Sequence, residues 1–317
     1  MNCKPSQVRF RIATLVAILV FFCHPPLLAK ASPLVLILSS HHARPYDTVL
    51  DAFKSHLSNQ DPGVIYEQWF LDRDTGKSTE ALKRVGQTKP AVVFAIGGAA
   101  AKTAQREAPE QPIVASLVIS IGDDERLRNT TGVLLQHSWE THFEWLTRMC
   151  PECKRVGVLS GPIAGQSGRS EGISAAAANF GLELIAEEVT DPKELPKALE
   201  RLVRRADVLW PLPDEIVLGP HVAKAILLAS FRNRVPVIGP SSAWVKAGAV
   251  YALDWDYEEM GQASAELVAE LLRGKRLSEI QPRLPRSVRY SLNLKTAKHM
   301  RWNFPDDIEK GAAEVFK

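Results

Sequence analysis

Four cysteines and eight histidines, widely scattered, give this chain no metal centre and no redox site. Cys3 and Cys23 fall in the opening segment, so the remaining pair is Cys150 and Cys153, in a CPEC run. A tetrahedral zinc site needs two further ligands, and no second CxxC pair or HxxxH spacing supplies them. A redox-active dithiol follows a strand and opens a helix, where the dipole lowers the thiol pKa. This run instead follows a helical stretch and precedes a strand, so a local structural disulfide is the preferred reading over two free thiols. No metal and no cofactor is expected, and His41 and His42 read as solvated loop histidines.

Basic stripes interleaved with aromatics are also missing, which excludes the electrostatic footprint of a nucleic-acid partner. Catalytic motifs fail on inspection. Thr75-Gly76-Lys77-Ser78-Thr79 resembles the end of a phosphate loop, but the position of the first glycine is Leu71, and Asp72 and Asp74 would repel phosphate. Gly165-Gln166-Ser167-Gly168 begins like a nucleophile elbow, yet Arg169 stands where the closing glycine belongs. With no nucleophile and base to pair, the chain is not expected to be an enzyme.

What the sequence does carry begins with an export signal. Lys4, Arg9 and Arg11 precede an apolar run from Ile12 to Cys23, and Ala29-Lys30-Ala31 offers a small-x-small cleavage site, so residues 1–31 read as a signal peptide cut after Ala31. The run is short of the roughly 20 residues a spanning helix needs, and Pro25 and Pro26 close it. Phe21 and Phe22 also argue against lipidation at Cys23. Removing the signal takes four basic side chains and no acidic ones, turning a formal charge of +3 into −1. The expected location is the periplasm.

Beyond residue 31 a strand, a turn of small or polar residues and an amphipathic helix recur. Leu34 to Leu38 is a strand, and Tyr46, Val49, Leu50, Phe53 and Leu57 fall on one face of the helix after it. Val64 to Phe70 is the next strand. Ala91 to Ile96 is an uninterrupted apolar run, and Ile113 to Val118 repeats it apart from Ser116, as parallel strands covered on both faces require. Ser138 caps a helix burying Trp139, Phe143, Leu146 and Met149. Strands follow at Val156 to Leu159, Leu182 to Ala186, Val208 to Trp210, Val235 to Ile238 and Ala249 to Leu253. Asp256 opens a last long helix with Glu259 as its capping-box partner and Gly274 as its stop. Strict alternation implies an α/β fold with parallel sheets and right-handed crossovers. This many strands needs two sheets, and the turns after each strand form the candidate site. Trp210, Trp244 and Trp255 lie at or beyond strand ends; Trp255 is kept as a candidate to stack on a ligand.

Several blocks then occur in order: Asn129-Thr130-Thr131-Gly132-Val133, Lys154-Arg155-Val156-Gly157-Val158-Leu159, Val245-Lys246-Ala247-Gly248-Ala249, Asp256-Tyr257 with Gly261, and Asn293-Leu294-Lys295-Thr296-Ala297-Lys298. Together they resemble the ABC transporter substrate-binding proteins related to tryptophan and aromatic amino acid binders. The resemblance implies a two-lobed type I periplasmic binding protein fold, with residues 32–135 plus 257–280 as one lobe and 136–256 plus 281–317 as the other. It further implies a monomer that captures a small-molecule solute by hinge closure and delivers it to an ABC permease in the inner membrane. The alternative role is a ligand sensor for a membrane signalling partner.

The implied ligand set departs from the family at several positions. A threonine and proline common after the third strand are here Gly98 and Ala99, which keep backbone donors at a helix start and lose the hydroxyl. A Thr-Asp pair after the next strand becomes Ile119-Ser120. The acidic position after Trp210 survives in Asp214-Glu215, so Asp214 is the candidate for a ligand amine, while the acidic position after the following strand is Ser241. Because an unpaired buried ligand charge costs several kcal/mol, the ligand is either less charged or held by residues particular to this chain. Ser39, Ser40 and Arg44 after the first strand, and Gln166 and Ser167 on the far wall, are the candidates.

Overall fold

The computed structural model describes residues 32–71, 89–121, 129–161, 169–212, 217 and 219–317. The signal segment, the Thr75–Thr79 and Gly165–Gly168 runs, and Gln166, Ser167 and Asp214 lie outside these residues.

The first sheet holds β1 (Leu34–Ser39), β2 (Ile65–Phe70), β3 (Val92–Ile96), β4 (Ile113–Val118) and β5 (Thr130–Leu134), in the order β2-β1-β3-β4-β5. All its pairings are parallel. Strand alternation divides the side chains between two faces. Val35, Ile37, Val92, Phe94 and Val114 enter one core, and Leu36, Leu38, Val93, Ala95 and Ala115 enter another. Helix α1 (Arg44–Gln60) covers the first with Val49, Leu50, Phe53 and Leu57. Helix α2 (Gly98–Glu107) covers the second with Ala100, Ala101 and Ala104. Small residues there let the helix lie close to the sheet.

Three further helices and three strands begin the second sheet: α3 (Trp139–Met149), β6 (Arg155–Ser160), α4 (Arg169–Asn179), β7 (Glu183–Glu188), α5 (Leu195–Val203) and β8 (Val208–Pro211). Helix α6 (Pro220–Asn233), β9 (Ile238–Gly239), α7 (Ser242–Ala247) and β10 (Tyr251–Trp255) follow. A parallel bridge between Leu209 and Val237 links the β7-β6-β8 ribbon to the ribbon containing β9 and β10. The ninth strand is shorter than the predicted Val235 to Ile238, because Val235 already bonds back to Ser230 at the end of α6.

Strict parallel alternation breaks at the far edge. β11 (Val288–Asn293) pairs antiparallel with β10, and β12 (Glu314–Phe316) then runs parallel to β11. Helices α9 (Leu294–Met300) and α10 (Asp306–Gly311) separate these two strands.

Helix α8 (Tyr257–Leu272) leaves β10 and returns to the first sheet, where Met260, Ala263, Leu267 and Val268 complete the core under α1. Gly261 lets it cross α1 at backbone contact, since a Cβ there would sit 2.4 Å from the Val49 carbonyl. Asp256 caps this helix by accepting from the amides of Glu258 and Glu259. The capping box, however, does not close as predicted. Glu259 instead accepts from the Arg286 amide, in a network where Arg286 and Arg283 also pair with Glu266, and Arg283 with Glu270. The Arg286 amide, with its guanidinium 3.9 Å from the same carboxylate, takes Glu259 in place of the cap residue's own N–H. Gly274 takes φ +94 as the helix stop.

Cys150 caps the end of α3, and its sulfur is joined to that of Cys153. Next to this link, Asp207 accepts from the amides of Lys154 and Arg155 and from the Arg155 guanidinium, pinning the start of β6 to β8. Burial alone would raise the Asp207 pKa; the Arg155 side chain and the two amides outweigh it and hold the carboxyl below its ordinary 3.8. The stabilisation is therefore present above pH 3.8 and lost as pH falls through the lower folded value. We expect Asp207→Asn to cost about 1 to 2 kcal/mol at neutral pH, with the gap from the parent closing in acid, as read from urea midpoints across pH.

Candidate functional site

Strand order reverses between β1 and β3, and in open α/β sheets the crevice beyond the strand C-termini at such a switch point binds ligands. Of the predicted residues, Ser39, Ser40, Gly98 and Ala99 lie there. Ser40 follows β1, and its hydroxyl accepts from the Ala100 amide across the switch point at 2.9 Å. Ser39 donates to the His41 carbonyl. Both serines are buried and committed to the protein itself, so their hydroxyls build the wall.

Gly97 forms the turn after β3 with φ 93 and ψ 159, a region open essentially to glycine alone. Its amide donates to the Ser116 carbonyl. A Cβ at this position would press on Ser40 Oγ at 2.7 Å and on the Tyr46 ring at 2.8 Å. Gly98 and Ala99 follow, exposed, at the N-terminus of α2. Their amides have no intrahelical acceptor, and the positive end of the helix dipole favours an anion in front of them.

The adjoining end of β4 carries strain. Leu117 takes φ 55 at a break in register between Ser116 and Val118, and the Ser116 hydroxyl is buried without a partner. Non-glycine residues in this backbone region cost about 1–3 kcal/mol and cluster at functional sites. Ile119 and Ser120 emerge from this bulge, Ile119 71% exposed. Arg44 opens α1 at the surface, and Ser241 precedes α7 beyond β9 in the other sheet without a side-chain cap bond.

Segments 135–138, 255–256 and 281–287 pass from one sheet to the other. The His137 ring contacts the Asp254 carbonyl at 3.2 Å and stacks on Trp255 at 5.9 Å between centroids, which ties two of these segments together. His142, in the first turn of α3, lies beside Trp210 at 4.7 Å, and Trp139 meets Trp210 edge-on. Arg283 closes the third segment by donating to Gly132 and lending its carbonyl to Leu134.

Sequence reading did not assemble this histidine and aromatic cluster, because no local spacing relates His137 to Trp255. Trp210, at a strand end, is buried at 4% exposure. Trp255, the residue that sequence reading retained, is partly buried with its indole N–H unpartnered.

Burial lowers the pKa of His137, against the pull of the Asp254 carbonyl and carboxylate. Burial, and then His137, push His142 down to about 3. Both imidazoles are neutral at physiological pH. An unfolded chain takes up a proton near 6.5 that His142 refuses until far lower, so stability is full above that pH and falls below it. We expect His142→Leu to lose less stability than the parent between pH 7 and pH 5, measured by urea unfolding at each pH.

A separate concavity of about 420 Å³ is lined by Ala297, Lys298, Arg301, Trp302 and Phe304. Trp302 neighbours Tyr251, which opens β10, so this concavity lies at the sheet edge opposite Trp255 and outside the candidate site.

A family model of ABC transporter substrate binding proteins matches residues 39–316. The chain belongs to that family. Among curated relatives of this substrate binding protein, a tyrosine-binding protein of Clostridioides difficile (strain R20291) is 24% identical over 202 residues, which is 61% of this chain and 57% of the relative. The chain thus spans little more than half the length of that relative. A ligand-free, open substrate binding protein with adhesive properties from Clostridium difficile superposes with a TM-score of 0.68 at 18% identity, covering 90% of this chain and 99% of that one. An ABC domain in complex with L-Trp from Streptococcus pneumonia gives 0.58 at 17% identity, covering 90% and 100%. These likenesses establish the two-lobed α/β fold of periplasmic binding proteins for this substrate binding protein. Among the described residues no helix is long and apolar enough to cross a membrane, and no group of three or more metal-ligating side chains forms.

Proposed function

We propose that this substrate binding protein works outside the cytoplasm, capturing a small solute between its lobes and presenting it to an ABC permease without altering it. The lobes are taken as residues 32–135 with 257–280 and residues 136–256 with 281–317. The observation that carries the proposal is the turn at Gly97–Ala99, where a glycine-only backbone exposes two amides at the switch point of one sheet. This turn suits a ligand carboxylate. Ser120, after the neighbouring strand β4, and Ser241 in the other sheet are kept as contacts in this proposal, with Asp214, Gln166 and Ser167, which lie outside the described residues, kept from the sequence alone. A solute touching both lobes stabilises the closed state by its differential affinity. The tyrosine-binding relative supports an amino acid or a close analogue as the solute.

The test is thermal unfolding of the purified protein with amino acids, nucleobases, sugars and small organic anions. A solute at 100 times its Kd should add about 2.7 kcal/mol. Mass spectrometry of the recovered solute should show it unchanged. A panel without one stabilising compound, or a chemically altered solute, overturns the reading.

A further inference from the structure

Helix α6 turns an apolar stripe to solvent. Leu228 is 45% exposed, and Phe231, one turn further on, is 51% exposed. Ile65, Ile119 and Leu284 are the other large apolar side chains exposed among the described residues, and they lie on three different segments. Phe231 is also held in place. One face of its ring stacks on the His299 ring of α9, with 3.9 Å between centroids and 5° between planes. The two helices therefore share this surface, and the concavity lined by Lys298, Arg301 and Trp302 continues it.

Cations frame the apolar pair. Lys224 precedes Leu228 by one turn on the same stripe, and Arg232 and Arg234 follow Phe231. On α9, Lys295 lies one turn before His299, with Lys298 beside it and Arg301 at the helix end. All six cations are exposed, and among the described residues none of them forms an ion pair. Neither helix contains an aspartate or a glutamate. Basic residues in a last turn complement the helix dipole, which accounts for Arg232 and Lys298. That argument does not reach Lys224, Lys295 or the two protruding apolar side chains. Acidic groups begin again at α10 with Asp306, Asp307 and Glu309, the last of which lines the concavity.

We propose that this face of α6 and α9 is a docking surface for an anionic lipid membrane, with Leu228 and Phe231 entering the headgroup layer and the surrounding cations meeting lipid phosphates. A partner helix would be received in an apolar groove. Here the apolar side chains project from the outer side of a helix with cations around them, the arrangement that lies on a bilayer surface. Long Lys and Arg stems run along apolar surface while their charged ends reach the phosphates. Each such cation adds about fivefold to the affinity for an anionic surface. The inference needs neither a bound solute nor closure, so its failure and that of the solute-capture reading are separate results.

Sedimentation of the full-length processed protein with vesicles tests it, using one set of pure phosphatidylcholine and one of phosphatidylcholine mixed equally with phosphatidylglycerol. The protein should sediment with the second set and stay in solution with the first. Raising sodium chloride from about 0.05 to about 0.5 M should release it, because screening shortens the reach of surface charge. Leu228→Ser combined with Phe231→Ser, and separately Arg232→Ala combined with Lys298→Ala, should each weaken binding on the order of tenfold or more. Ile65→Ser, which removes an exposed apolar side chain from β2, should leave binding unchanged. Far-ultraviolet circular dichroism and the melting temperature show whether each variant is folded. Equal sedimentation with both vesicle sets, or none with either, overturns the proposal, as does full binding by either double variant. So does capture on immobilised polyglutamate without sedimentation on vesicles, which gives the face to an acidic polypeptide instead.

Discussion

Gly132→Val should cost more than about 3 kcal/mol and leave little folded protein to purify. The reason is local. A Cβ at Gly132 would lie 2.0 Å from the Ala115 carbonyl oxygen and within 2.9 Å of the Ala115 amide nitrogen. Those are backbone atoms of the neighbouring strand β4, which cannot move aside as a flexible side chain would. Gly132 also lends its carbonyl to Arg283, so displacing it strains the third passage between sheets together with the first sheet itself. The matched control is Gly98→Ala, where nothing lies within 4 Å of the added methyl, and stability should stay within about 0.5 kcal/mol of the parent. Urea unfolding of both variants decides the matter; a valine variant with the parent's midpoint would show that β4 and β5 do not approach as described.

Gly97→Val should abolish solute binding and destabilise the first lobe by about 3 kcal/mol. Two effects add. Valine at φ 93 and ψ 159 carries the strain of a region that side chains avoid, and its Cβ meets Ser40 Oγ and the Tyr46 ring inside van der Waals contact. Relief requires the turn to swing away, which breaks the Ser40 to Ala100 hydrogen bond and redirects the Gly98 and Ala99 amides. Titration with a solute that the parent binds, set beside circular dichroism of the variant, separates loss of the site from loss of the fold. Retained binding would remove the β3 turn from the site.

The central strands were legible because burial on both faces demands apolar runs: Val92–Ile96 is unbroken and Ile113–Val118 is interrupted only by Ser116. The caps at Ser138 and Asp256 were legible because a short polar side chain before an apolar stripe satisfies amides within its own turn. β11 was not, since Val288-Arg289-Tyr290-Ser291-Leu292-Asn293 mixes polar and apolar residues as an edge-side antiparallel strand does. The Glu259 assignment failed because its true partner, Arg286, comes from a later segment that local spacing cannot see. The same limit hid the contact between two of the passages from sheet to sheet, because His137 meets Asp254 and Trp255 only once they lie side by side. Ser39 and Ser40 were chosen by their position after the first strand, and their hydroxyls bond within the protein.

Helix α8 supplies Met260, Leu267 and Val268 to a core whose other members, Ile280 apart, come from residues 35 to 133. During synthesis those earlier residues emerge with one side of their sheet uncovered, and closure waits for the ribosome to pass residue 272. Bringing such distant segments together carries a large loop-closure entropy and a high contact order, both of which slow folding. The core built from residues 159 to 252 can therefore consolidate before α8 arrives, while the core under α1 stays open until it does. A nascent chain arrested before residue 257 should stay open to proteases and holdase chaperones around that core.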